Sequence, residues 1–335
     1  MAYPQLTIIL PVHNGANYLH RAIGSVLNQT MDRDMWLLVA VNDGSTDNSA
    51  EILHSYEDRF PDNITVLDQD NRGVACARNL ALRKTSTTWV TFLDQDDHLD
   101  AGLLESFLDY PHLDDVDVVI AGYQHLTSDG KIKETVIPDP HPEGFGRWTV
   151  DAAWAKMHRT SFLAEHDIEF WEGGFGEDIP FVFAESGLVG SRVAFLPRSG
   201  YNWLLNKEST SRRIWASSSP DTPRQIVDMI SHLVTRRKSF DPTDPILDYY
   251  ILGITVFFLI FVKVGNLRSF LAYYRALVQA LAPLGDAVWR NRLIWHPIVG
   301  TPLRHRIVLP LIVTIHRTRT MPLFAPLVRM GRFLV

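Results

Sequence analysis

Leu6-Thr7-Ile8-Ile9-Leu10-Pro11-Val12-His13-Asn14-Gly15 and, further on, Trp36-Leu37-Leu38-Val39-Ala40-Val41-Asn42-Asp43-Gly44-Ser45-Thr46-Asp47 decide the reading of the fold. Each is an apolar run suited to a strand covered on both faces, broken off by polar turn-forming residues. Working outward, residues 64–67, 89–93 and 116–120 repeat the apolar part. Helical stretches over 18–30, 49–60, 74–84 and 101–110 separate these runs, with Asn17, Asp47 and Asp100 where N-caps would stand. Strand and helix alternating at this spacing predict βαβ units and a mostly parallel α/β sheet. Ligands of such sheets bind at the carboxyl ends of the strands.

Those ends carry the chemistry. They read Pro11-Val12-His13-Asn14-Gly15, Asn42-Asp43-Gly44-Ser45-Thr46-Asp47, Asp70-Asn71-Arg72-Gly73 and Asp94-Gln95-Asp96-Asp97. One polar turn is ordinary capping chemistry, but four that converge on one sheet edge point to a polar ligand. Asp94-x-Asp96 suits a hard divalent cation, Mn2+ or Mg2+, which takes one or two carboxylates together with phosphate oxygens. Asp97 and Asp100 also read as caps for the following helix. The implied ligand is a diphosphate, and the implied chemistry is departure of a nucleoside diphosphate whose charge must be neutralised.

The chain has 335 residues, 46% apolar and 21% charged, which is ordinary globular composition and excludes collagen-like or low-complexity chains. Cys76 is the only cysteine, so no intramolecular disulfide forms; it reads as a small core residue. No basic leader with a cleavage site is apparent at the N-terminus, and the expected location is cytoplasmic. Residues 139–146 form a Pro/Gly-rich loop, a helix is expected over 152–165, and Glu177-Asp178-Ile179-Pro180 opens another after a glycine-rich turn. Residues 198–213 read as a polar loop and 217–220 as a linker, dividing a catalytic domain (1–216) from a helical C-terminal region (217–335). Helices are expected there over 223–239, 246–262 and 269–281. Residues 249–262 are uncharged, but 14 residues fall short of the roughly 20 that a membrane span needs.

Charge divides the chain. Residues 287–335 hold eight arginines and three histidines and no acidic residue, whereas the preceding residues have 24 basic against 38 acidic side chains. Apolar anchors interleaved with arginines predict an interfacial segment, peripheral on the inner face of the cell membrane. A packed helical region or a homo-oligomer interface is the competing reading. Neither a P-loop nor a dinucleotide fingerprint occurs, and no aromatic–basic interleaving supports nucleic-acid binding.

The strings Ile9–Asn14, Val41–Ser49, Asn71–Asn79 and Phe92–Asp97, in this order and spacing, resemble the family 2 glycosyltransferases. Trp154-Ala155-Lys156-Met157-His158-Arg159 and Gly176-Glu177-Asp178 are similar to that family's acceptor-side helix and catalytic loop. The likeness covers residues 5–213. It implies an A-type glycosyltransferase fold, a Rossmann-like, mostly parallel sheet flanked by helices, with a nucleotide-sugar donor, usually a divalent metal, and inversion at the anomeric carbon. It further implies that Pro11 and Val12 line the base pocket beside His13 and Asn14, and that Asp43 meets the uracil edge. Asn71 and Arg78 then face the nucleotide, Asp94 and Gln95 the ribose or sugar, and Asp96 the metal. Asp178 becomes the general base, with Glu177 beside it, and Lys207, Ser211 and Arg212 reach the diphosphate. His13 stands where the family commonly has Tyr, Asn42 where Asp is frequent, and Leu204 where Arg is frequent. The expected activity is transfer from a UDP-sugar to a cell-envelope glycan or lipid-linked acceptor. The alternatives are a sugar nucleotidyltransferase, or a catalytically silent glycan-binding scaffold on the same fold.

Overall fold

A computed structural model of the chain describes residues 4–138, 152–205, 221–241, 243–262, 264–295 and 303–330. Two compact units emerge, one of residues 1–172 and 177–206, the other of residues 173–176 and 207–335. The expected linker at 217–220 and the Pro/Gly-rich loop at 139–146 lie outside the described residues.

In the first unit, strands β1 (Leu6–Val12), β2 (Trp36–Asp43), β3 (Ile64–Gln69) and β4 (Trp89–Phe92) alternate with helices α1 (Ala16–Leu27), α2 (Ser49–Arg59) and α3 (Val74–Lys84). The sheet continues through β5 (His98–Leu99), helix α4 (Leu103–Leu108), β6 (Val118–Leu126), β7 (Ile132–Val136) and β8 (Lys156–Arg159). Helices α5 (Thr160–Glu165) and α6 (Asp178–Leu188) then lead to β9 (Val193–Leu204). Spatial order is β3-β2-β1-β4-β8-β6-β9-β5, with β7 on β6. Pairing is parallel across β3-β2-β1-β4 and between β6 and β9. It is antiparallel where β8 enters between β4 and β6, and at β5–β9 and β6–β7. The sheet is therefore α/β of the expected class, parallel in its first half and mixed in its second. All seven residues of β1 are buried, as a strand covered on both faces requires.

Two local expectations are corrected. The segment expected to be helical from residue 152 is a strand, β8, and only Thr160–Glu165 is helix. Pairing to β4 on one side and β6 on the other satisfies its backbone, which outweighs helix propensity in a buried slot. Residues 198–204, expected as loop, continue β9, where polar Asn202 is buried and donates to Asp100 Oδ1 at 2.8 Å. The caps also differ. Asn17 lies inside α1, and Gly102 rather than Asp100 precedes α4. Asp47 serves two helices at once, accepting from Ala16 N of α1 at 3.1 Å and Ser49 N of α2 at 3.0 Å.

The second unit is helical: α7 (Thr222–Arg237), α8 (Pro245–Phe261), α9 (Leu267–Leu281), α10 (Leu303–Arg317) and α11 (Met321–Met330). The long uncharged run forms α8 and is buried along most of its length, making it the core of this unit. Among the described residues no helix is long and apolar enough to cross a membrane. Phe175, in the short segment that joins this unit from the first, packs edge-on against Phe258 of α8 at 5.5 Å.

Candidate active site

The turns after β1, β2 and β4, with the loop that follows β3, meet at one edge of the sheet. Asn14 is held in the left-handed region (φ 51°), and its Oδ1 accepts from Thr46 N at 2.8 Å. Gly44 (φ 65°) brings this turn against the next loop, where a Cβ would stand 2.6 Å from Asn71 N. Only glycine combines that backbone with that approach. Asn42 completes the turn, accepting from Ser45 N at 3.1 Å and donating to Asp68 at 2.8 Å.

Asp43 is buried, and its carboxylate accepts from Arg72 N at 2.8 Å, Gly73 N at 2.9 Å and Gln69 Nε2 at 2.7 Å. It braces the loop that presents Asn71. His13 donates from Nδ1 to the Asp43 carbonyl at 2.8 Å, and the Asn71 amide lies 3.3 Å from its ring. Gln95 links the ends of β1 and β4. Its Oε1 accepts from His13 N at 2.9 Å, and its Nε2 donates to His13 O at 3.1 Å. Pro11, Val12, His13, Asn14, Asp43, Asn71 and Gln95 are thus gathered in one place, with His13 and Asn71 exposed at the rim.

The acidic turn after β4 is pinned from below. Asp97 is buried rather than a helix cap. It accepts from the Tyr201 hydroxyl at 2.7 Å and from Leu204 N at 2.8 Å. Tyr201 in turn accepts from Asp94 N at 3.2 Å. Burial, then the charges of Asp96 and Asp94, hold the Asp97 carboxyl well above the usual carboxylate range. Arg21 fixes the turn from the side, donating to Asp96 O at 2.7 Å. Asp94 and Asp96, half-buried above this base, offer carboxylate oxygens at a strand end. Among the described residues no cluster of three metal-ligating side chains forms. Two carboxylates could hold a Mg2+- or Mn2+-type ion, which takes further ligands from phosphate and water.

Arg78 does not stand open to a nucleotide. Its side chain, only 6% exposed, donates to Asp94 Oδ1 at 2.6 Å and to Glu177 Oε1 at 3.0 Å, over the Phe170 ring. Burial opposes its charge, but the carboxylates of Asp94, Glu177 and Asp178 prevail and raise its pKa further. The guanidinium fork spans two carboxylates from distant parts of the chain, a geometry open to Arg and not to Lys. Through it the acidic turn and the start of α6 are one assembly. Glu177 is the N-cap residue of α6 and Asp178 its first residue, where the helix dipole favours carboxylates. Lys207, Ser211 and Arg212 lie outside the described residues. Tyr201, Gln69 and Arg21 were not singled out from the sequence, since their roles exist only once β9, β3 and α1 are placed around the turns.

Residues 7–152 match the family model for glycosyl transferase family 2. This chain carries a family 2 glycosyltransferase domain. It is 27% identical over 248 residues to glycosyltransferase GlyA of Streptococcus pneumoniae, covering 69% of this chain and 34% of that protein. The chain thus spans about a third of that relative's length. Among solved structures, Staphylococcus aureus TarS 1–349 in complex with UDP-GlcNAc superposes with a TM-score of 0.69 at 19% identity, covering 95% of this chain and 92% of that one. The mannosyltransferase PcManGT from Pyrobaculum calidifontis, in complex with GDP-Man and Mn2+, gives 0.51 at 18% identity over 99% of this chain and 88% of that one. At these identities the likeness establishes the A-type glycosyltransferase fold.

Proposed function

We propose that this family 2 domain is an inverting glycosyltransferase that moves a sugar from a UDP-sugar to a hydroxyl of a cell-envelope glycan or lipid-linked acceptor. The observation that carries the reading is the Arg78 clamp. It fixes Glu177 and Asp178 beside Asp94-Gln95-Asp96, so that a base and a diphosphate-binding turn share one site. Single displacement needs these two things: a carboxylate that takes the proton as the acceptor hydroxyl attacks, and compensation of the charge that gathers on the departing diphosphate. Asp178 serves as the base, and Glu177, held by Arg78, sets its approach. The rim formed by His13, Asn71 and the Asp43 turn receives the uracil; a UDP-sugar donor is supported by the fold neighbour TarS, which was solved in complex with UDP-GlcNAc. Asp96 with Asp94 holds the divalent cation, which when bound neutralises diphosphate charge. Lys207, Ser211 and Arg212 contribute to the diphosphate. Assaying UDP release from a panel of UDP-sugars, UDP-GlcNAc first, with and without Mn2+, tests the reading. No UDP release from any donor in the presence of Mn2+ would refute it.

The helical unit holds the enzyme on an anionic membrane surface, the inner face of the cell membrane. Ile307 and Leu311 on α10 are exposed at helical spacing, as are Leu323, Phe324 and Leu327 on α11, within the segment that carries eight arginines and no acid. Each arginine near an anionic leaflet contributes about 1 kcal/mol. Serine at positions 323, 324 and 327 should abolish co-sedimentation with phosphatidylserine-containing vesicles. Equal binding to neutral vesicles would refute the electrostatic part.

A further inference from the structure

Two turns below Asp178, helix α6 carries a buried charge that the transfer itself does not use. Glu185 is seven residues beyond Asp178, close to two turns of 3.6 residues, so both lie along one face of the helix. Its Oε1 accepts from Lys156 Nζ at 3.1 Å, and its Oε2 accepts from His158 Nε2 at 2.9 Å. The three side chains are 0–1% exposed. His158 Nδ1 is buried with no hydrogen-bond partner among the described residues. Phe92 and Phe181 close around the ring edge-on, at 5.7 and 5.3 Å. Burial opposes the Glu185 charge, yet Lys156 and His158 hold its carboxyl below the usual range.

Such a cluster is a poor device for stability. Apolar side chains of similar volume often serve a core equally well, since the charges must be desolvated. Its distinctive property is directional. Lys156 and His158 alternate along β8, which pairs antiparallel with β4, and Thr91 of β4 donates its hydroxyl to Lys156 O at 2.6 Å. Strand β4 runs straight into Asp94 and Asp96. The cluster therefore ties the strand that ends in the acidic turn to the helix that begins at Asp178. A slip of α6 by one residue would turn it by about 100° and shift it by about 1.5 Å. Apolar packing tolerates such slippage far better than a bidentate hydrogen-bonded carboxylate does.

We propose that Lys156, His158 and Glu185 are positioning residues, which lock the rotation and axial setting of α6 so that Asp178 meets the acceptor hydroxyl above the acidic turn. The proposal rests on Asp178 being the base. Full-length chains carrying Lys156→Met, His158→Leu and Glu185→Leu together should remain folded, with UDP affinity and KM for UDP-GlcNAc within about threefold of wild type. The kcat for UDP release should fall at least about thirtyfold, the scale of a misplaced catalytic group. His158→Gln, which keeps a donor for Glu185, should retain kcat within about threefold, whereas His158→Leu alone should not. A folded triple variant with wild-type kcat overturns the proposal. If the triple variant does not fold, equal kcat in His158→Gln and His158→Leu overturns it. Asp178→Asn, assayed alongside, separates the two ideas. Activity retained there removes the base and the proposal with it, whereas an inactive Asp178→Asn beside a fully active triple variant removes only the positioning role.

Discussion

Arg78→Met removes the guanidinium that joins the acidic turn to the base-bearing helix while keeping an unbranched stem over Phe170. Breaking a buried ion pair costs about 3–5 kcal/mol, because the partner charges are stranded. Here Asp94 and Glu177 are 28% and 24% exposed and can rehydrate. The expected loss therefore falls at or just below the lower bound of that range, about 2–3 kcal/mol in urea unfolding. Three carboxylates, Asp94, Glu177 and Asp178, would then repel one another and the start of α6 would move away from the turn. A displacement near 1 Å at a reacting group costs about 100-fold in rate, equivalent to about 2.7 kcal/mol of barrier. The assay is paired: UDP release for kcat, and calorimetry for UDP affinity in the presence of Mn2+. The clamp predicts a large fall in kcat with UDP affinity largely kept. Arg78→Lys should be intermediate, since one ammonium cannot grip both carboxylates. Loss of UDP affinity with kcat preserved would refute this reasoning and return Arg78 to the nucleotide-facing role that the family resemblance implied.

Asp178→Asn should lower kcat by about 10²–10⁴-fold with UDP binding intact, since the amide keeps the shape but cannot take a proton; turnover above a few per cent of wild type in steady-state assays counts against the base. Asp96→Ala should abolish the enhancement of UDP binding by Mn2+ in calorimetry, because metal and diphosphate share ligands. The Glu185 carboxyl is lowered from 4.5 in the folded chain, so the stability it contributes is present above that value and lost as pH falls through its depressed folded value. The stability difference between wild type and Glu185→Gln should accordingly be largest near neutral pH and shrink below about pH 4.5 in urea unfolding. An unchanged difference down to pH 3 would contradict the pairing.

What was legible in the sequence was local and periodic. Apolar runs ending in His13-Asn14-Gly15, Asn42-Asp43-Gly44 and Asp94-Gln95-Asp96 gave the strands, their order of appearance and the edge at which their polar turns gather. These signals need no distant partner, because strand burial is written as continuous apolarity and turns as Gly, Asn and Asp. The bounds of α3 (Val74–Lys84) coincide with the expected range for this reason. What depended on distant partners was not legible. Residues 156–159 read as helix and fold as strand because an antiparallel slot between β4 and β6 takes their backbone. Asp97 reads as a cap and is instead a buried anchor, because β9 brings Tyr201 and Leu204 to it from more than a hundred residues away. Arg78 reads as a nucleotide ligand and is found between Asp94 and Glu177, since a charge goes to whichever opposite charge the fold places nearest in a desolvated site. The sequence by itself determined the strands and the polar turns that end them. Only the tertiary structure decided which of them hold one another in place, because ion pairs and buried anchors join positions that no local pattern connects.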